Sequence, residues 1–273
     1  MRVAGWRSIG ALVAAVLFAA PLLLLVSGSL RPAGSAPPPT PQLLPDPASV
    51  AAYGRAVDLA GLGRATLVSL LVAAIAVPVS VLVASWAGFA MTRVPPALAR
   101  LLVGASLVAL MVPVTALLVP RFALYRLLGL TDTIVPLVAP ALIGTSPFYV
   151  LVYYVAFRAV PRDLYDASLL ADLSPLQTWR QVAMPLVRPV TVAVAALVFV
   201  LTWSSFLEPL VYIYDRDLFT VPLALRSLST LDPADYPVLL AGSVLASIPA
   251  LLLFAVAQRR FLHEYRGPGW LGR

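Results

Sequence analysis

Arg158-Ala159-Val160-Pro161-Arg162-Asp163-Leu164-Tyr165-Asp166-Ala167-Ser168-Leu169-Leu170-Ala171-Asp172-Leu173-Ser174-Pro175-Leu176-Gln177-Thr178-Trp179-Arg180-Gln181-Val182-Ala183-Met184-Pro185-Leu186-Val187-Arg188 is the stretch on which the fold turns. It is a charged interruption between two long segments that carry no charge at all. Ser174 can cap a helix, with Pro175 at the first helical position and Gln177 three residues on, the arrangement of a capping box. Pro185 must stop that helix, because it lacks the amide that would continue the ladder. Pro161 opens an earlier, shorter helix on which Leu164, Ala167 and Ala171 share one side. The segment therefore reads as a compact helix-turn-helix, an element that a membrane protein keeps for a partner.

Outward from this segment the chain is built for lipid. Of its 273 residues 61% are hydrophobic and 11% charged, with a mean hydropathy of +0.94, far from the balance of a soluble domain. A helical span needs about 20 mostly apolar residues. Six charge-free stretches qualify: 8–30, 65–92, 101–120, 133–157, 189–207 and 236–258. The whole chain, 1–273, thus reads as one all-α membrane domain of six transmembrane helices, with both ends on the same side.

Every Lys or Arg position is Arg, and the positive-inside bias orients the spans. The N-terminus, the loop after the second span, the 158–188 loop and the tail hold twelve Arg, against seven on the other side. Both termini and the 158–188 loop are therefore predicted to be cytoplasmic. The net charge of +7 lies in short loops beside spans, which argues for membrane orientation and against nucleic acid. There is no Cys, hence no disulfide framework or thiolate nucleophile, and His263 stands in the charged tail. The first span has a basic start followed by Ser35 and Ala36, but its apolar run is longer than a signal core, so a retained anchor is expected.

The external loop, 31–64, opens with a Pro-rich, extended piece and then turns helix-permissive between Ala48 and Leu62. Prolines recur in or beside the spans, among them Pro21, Pro78, Pro113, Pro140, Pro147 and Pro249, where broken helices need cover from protein or a water-filled cavity. The fourth and fifth spans carry the most polar side chains. Tyr149, Tyr153, Ser204 and Ser205 are the candidate pathway residues, since they offer aromatic faces and hydroxyl partners within the spans. Glu208 reads as an interfacial carboxylate just past the fifth span.

The 158–188 loop resembles the EAA loop of bacterial ABC-importer permeases, whose pattern is Glu-Ala-Ala, a later Gly, then an aliphatic residue and an aliphatic-Pro pair. The match falls on Asp166-Ala167-Ser168, Val182 and Met184-Pro185, with the family's own spacing from Asp166 to Pro185. Asp stands for the leading Glu, and Ala171-Asp172 stands where the family has Asp-Gly. Trp203 to Leu210, Thr220 to Leu225, Ala241 to Pro249 and Gln258 to Phe261 are similar to the second half of carbohydrate permeases of the MalG-like, maltose and glycerol-phosphate type. The tail from His263 to Arg273 departs from that family's Gly-rich, Lys-bearing ending.

The resemblance implies a type I ABC-importer permease fold in a bacterial plasma membrane, with 158–188 as a cytoplasmic coupling helix-turn-helix. It implies four kinds of partner: two ATPase subunits, a second homologous permease, an extracytoplasmic solute-binding protein and membrane lipid. The solute would be a sugar or oligosaccharide. Within the loop it assigns Asp166 to polar or charged contact with the ATPase, Ala167 and Ser168 to close approach, Asp172 to the turn and Pro185 to the exit into span five, with Val182 and Met184 also among the ATPase-coupling residues. No G-x-x-x-x-G-K-[ST] motif is present, so this chain is expected to bind no cofactor and to be non-catalytic, with ATP and magnesium held by the partner ATPases. The alternative, a secondary transporter or channel without ATPase partners, would need ionisable residues near span centres, and the six runs contain none.

Overall fold

The computed structural model describes residues 2–38, 40, 42, 44–231 and 235–264, with side chains from residue 10 onward except those of 257 and 259–264. Among the described residues the chain is helical and has no strand. In chain order the α-helices are α1 (Arg2–Ser29), α2 (Ala51–Ala60), α3 (Leu62–Met91), α4 (Pro96–Leu110), α5 (Leu118–Leu127), α6 (Val135–Val138) and α7 (Pro147–Ala159). They continue as α8 (Arg162–Leu170), α9 (Pro175–Thr178), α10 (Met184–Leu186), α11 (Arg188–Trp203), α12 (Leu207–Tyr212), α13 (Val221–Leu231) and α14 (Tyr236–Glu264).

Four stretches are long and apolar enough to cross a membrane unaided: Gly10–Ser29, Leu62–Met91, Val135–Ala159 and Tyr236–Val256. Two bent pairs bring the number of crossings to six when each is taken as one span. The first pair is Pro96–Leu110 with Val114–Leu127, bent by 83°. The cause is Pro113, which has no amide to donate and holds the residue before it out of the helical region. The predicted span 101–120 is thus a broken one. The second pair, Pro175–Leu186 with Arg188–Trp203, bends by 85° at Val187, where Pro189 lacks the amide that would donate back across the join to the Pro185 carbonyl.

The fourth span is interrupted as well. Gly144 and Thr145 lie at φ +74 and +62, the left-handed region that a β-branched residue rarely enters. Thr145 is held there by its amide bond to the Pro140 carbonyl at 2.8 Å and by a hydroxyl contact with Ser80. Ser146 then caps α7 by accepting from the Phe148 amide at 3.2 Å, with Pro147 in the first helical position.

Residues 1–67 with 219–249 form one compact unit, and residues 68–218 with 250–273 another. In the first, α2 packs on α13 and buries Ala52 and Ala56 completely. Ser29 and Tyr53 share a hydrogen bond of 2.7 Å. Asp235 is buried: it accepts from the Gly34 amide at 2.7 Å and forms an ion pair with Arg55 at 2.9 Å. A buried carboxylate needs both contacts to offset its lost hydration. The helix predicted within Ala48 to Leu62 is α2.

In the second unit the core gathers Ala84 and Phe89 from α3, Tyr149, Tyr153 and Phe157 from α7, Ala183 and Val187 from the join, and Val194 and Val198 from α11. Gly88 makes this possible. A β-carbon there would lie 2.7 Å from Tyr153 Cβ, 2.8 Å from the Val150 carbonyl oxygen and 2.9 Å from the Tyr154 nitrogen, so only Gly lets α3 touch the α7 backbone. Asp132 closes another turn of this unit, its carboxylate accepting from the amides of Tyr214 at 2.9 Å and Asp215 at 2.8 Å. Those two donors hold its carboxyl below the ordinary aspartate value.

Candidate functional site

Residues 162–186 fold into the hairpin that the capping and proline pattern predicts. α8 runs from Arg162 to Leu170 and ends in a Schellman motif: the Asp172 amide donates to the Leu169 carbonyl and the Leu173 amide to the Ser168 carbonyl, both at 3.0 Å. Asp172 takes φ +52, the left-handed conformation that such a cap requires. Two residues later the capping box is complete. The Gln177 amide donates to Ser174 Oγ at 3.3 Å, and the Ser174 amide donates to Gln177 Oε1 at 2.8 Å.

The second helix does not stop at Pro185. A wide turn over Trp179–Ala183 precedes it, and helical backbone continues through Met184–Leu186 before ending at Val187. Widening the turn by one residue accommodates the ring and the missing amide of Pro185, so the expected stop is displaced to the bend itself.

The hairpin has a fixed inner face. Tyr165 donates to the Phe157 carbonyl at 3.0 Å, and its ring and that of Phe89 both lie 4.8 Å from the Arg93 guanidinium carbon. Burial pushes the Tyr165 hydroxyl pKa up, with Arg93 opposing the shift. Trp179 meets Trp86 edge-on at 5.6 Å. Ser168 is buried: its hydroxyl donates to the Tyr165 carbonyl at 2.6 Å and accepts from Thr178 at 3.4 Å. Ser168 therefore brings the two helices of the hairpin together and does not face outward, which corrects its assignment to close approach by a partner. Met184 packs against the core and Val182 is half-buried, while Pro185 is exposed.

The opposite side of the hairpin is exposed among the described residues. Asp166, Ala167 and Asp172 are exposed on it. Leu164, Leu169, Leu170 and Leu176 are exposed as well, Leu170 to 91%. Four exposed leucines on a short, charged hairpin are costly in water, and such a patch marks an interaction surface. Among the described residues no three His, Cys, Asp or Glu come together as metal ligands.

The four pathway candidates are not brought together. Tyr149 and Tyr153 are fully buried in the core, where Tyr153 stacks on Phe157 at 5.7 Å, so in this conformation they serve packing and line no passage. Ser204 is exposed, but its hydroxyl is spent on the Val200 carbonyl at 2.7 Å. Ser205 donates to Glu208 at 3.4 Å. Glu208 also pairs with Arg121 at 3.4 Å, both side chains being mostly buried. That partner was not legible, because 87 residues separate the two and nothing local links them.

Comparisons with known proteins agree with the geometry. A family profile described as "binding-protein-dependent transport system inner membrane component" matches residues 76–263. A lactose transport system permease protein of Rhizobium radiobacter is 30% identical over 199 residues, 73% of this chain and 72% of the relative. A diacetylchitobiose uptake system permease protein of Streptomyces coelicolor is 29% identical over 247 residues, 90% of this chain and 82% of the relative. In fold, the chain is similar to one in the crystal structure of a bacterial ABC transporter involved in the import of the acidic polysaccharide alginate, with a TM-score of 0.75, 18% identity, and 95% of this chain and 97% of the other covered.

Proposed function

We propose a function from one premise: the chain belongs to the family of binding-protein-dependent transport system inner membrane components. It is the permease subunit of an ATP-driven importer in a bacterial plasma membrane, and its solute is a sugar or oligosaccharide, the class named for its relatives. The chain supplies half of the translocation pathway and a second, homologous permease supplies the other half. Two ATPase subunits hold ATP and magnesium and do the hydrolysis; a solute-binding protein delivers the sugar on the outer side. Both termini and the 162–186 hairpin face the cytoplasm, in keeping with the Arg asymmetry.

The observation that carries this reading is the two-faced hairpin. Its inner face is tied to α3 and α7 through Tyr165 and Trp179, and it exposes Leu164, Leu169, Leu170 and Leu176 beside Asp166. A rigid element with one face anchored and the other free transmits displacement. When the ATPase dimer closes on ATP it moves the outer face, and the inner face passes the motion to the spans as a rocking or hinge movement. Work is done only if the ATPase contacts the hairpin differently in its open and closed states. Ala167, exposed on α8, sets the closeness of approach; Asp172 holds the turn; Val182, Met184 and Pro185 fix the exit into α11.

The test is Ala167→Trp in the complete importer reconstituted in proteoliposomes. Because Ala167 is exposed, the indole is tolerated by the chain itself and clashes only with a docked partner. Sugar uptake is expected to fall to background with insertion unchanged. Uptake at the wild-type rate would remove the coupling role.

A further inference from the structure

Where α3, α4, α7 and α8 converge, the structure holds a cavity of about 640 Å³ whose walls include Arg93, Arg100, Arg158 and Arg162, with Tyr154 and Tyr165 between them. The lining contains no carboxylate, and among the described residues none of the four arginines is paired with an Asp or Glu. Four uncompensated guanidinium groups around one space repel one another, and an anion seated among them relieves that repulsion. The geometry points to a binding site for a phosphate-bearing anion, with the headgroup of an anionic phospholipid or a soluble phosphate as its two sources.

Three observations carry the assignment. First, the cavity is the size of a small-ligand pocket, roomy enough for a phosphodiester with its glycerol. Second, two of the guanidinium groups are placed by rings and not by carboxylates. Arg93 lies over both Phe89 and Tyr165, 4.8 Å from each ring centroid, and Arg158 lies 5.7 Å over Tyr154, with a 3.4 Å bond to its hydroxyl. Stacking fixes the plane of a guanidinium while leaving its donors for a ligand, and the planar fork matches phosphate oxygens in pairs. Tyr165 is itself pinned by its bond to the Phe157 carbonyl, so this part of the wall is set before any ligand arrives. Third, α4 begins at Pro96 in the cavity wall, and the positive end of its dipole adds to the same field. Basic pockets between spans on the cytoplasmic side are suited to anionic headgroups.

Tyr165 makes the site relevant to coupling, since one side chain both lines the cavity and anchors α8. The assignment rests on the proposed orientation only for which leaflet supplies the lipid.

The experiment is a titration of the purified full chain in detergent, read by native mass spectrometry, with phosphatidylglycerol, phosphatidylcholine and inorganic phosphate as probes. Phosphatidylglycerol is expected to bind at least about tenfold more tightly than phosphatidylcholine, the advantage disappearing in Arg93→Gln/Arg158→Gln. Arg100→Gln/Arg162→Gln, which leaves the stacked pair intact, lowers it as well, and so covers the case in which the first variant fails to fold. A charge-matched control, Arg126→Gln/Arg180→Gln, retains the wild-type preference. Displacement of the lipid by inorganic phosphate supports the site with a soluble source, and retention supports it with a lipid source. Equal binding of both lipids with no phosphate bound, or an equal loss in the control variant, overturns the proposal. No ATPase or sugar is present in the titration, so its failure and a failure of the uptake test are separate results.

Discussion

Truncating Leu170 to Ala isolates the contribution of the hairpin's outer face. The side chain is 91% exposed, so the chain itself loses almost no packing and its stability should stay within about 0.5 kcal/mol of wild type. If the ATPase buries this residue, Leu170→Ala removes three carbons from the interface. At roughly 0.8 kcal/mol per buried methylene that is about 2 kcal/mol, or on the order of 30-fold in the dissociation constant. The assay is binding of the purified ATPase subunit to the permease in nanodiscs, followed by fluorescence anisotropy, with Leu127→Ala as control. Leu127 is 83% exposed and lies on α5, which the proposed topology places on the outer side, so its truncation should leave the affinity unchanged. An affinity for Leu170→Ala within twofold of wild type would show that the tip of α8 stays in water, and the coupling argument would have to move elsewhere.

Substitutions at two further positions test the devices that place the hairpin. Gly88→Ala should cost about 1–3 kcal/mol, because the added carbon would come within 2.9 Å of backbone atoms of α7 that cannot rotate away; an unchanged thermal unfolding midpoint in detergent would contradict the close approach. Asp172→Val should cost about 1–2 kcal/mol by forcing a β-branched residue to φ +52. Asp172→Gly should cost nothing there, and equal proteolysis rates at the hairpin in both variants would count against the Schellman cap.

How far the sequence carried this account differs from element to element. The hairpin was legible because its signals are local: Ser174, Pro175 and Gln177 lie within one turn, and an Asp can take the left-handed cap that Gly would otherwise supply. The spans were legible as charge-free runs, but the 83° bend near Pro113 was not, since a proline marks a break without giving its direction. Tyr149 and Tyr153 illustrate the limit of side-chain chemistry. A tyrosine that packs and one that lines a passage are the same residue, and only the closeness of α3 at Gly88 decides between them. Ser168 is a similar case. Small residues on α8 are compatible with approach from either side, and the second helix of the hairpin, through Thr178, takes the inner one.

The most direct test of the central claim uses the chain's own composition. Having no cysteine, it gives a single thiol in Leu170→Cys. Labelling of that thiol by a membrane-impermeant maleimide, in inside-out and right-side-out vesicles, reports the side on which the hairpin stands and whether an ATPase covers it. The account predicts labelling only in inside-out vesicles, and its suppression when ATPase subunits are bound. Labelling in right-side-out vesicles, or full labelling in the presence of bound ATPase, would contradict it.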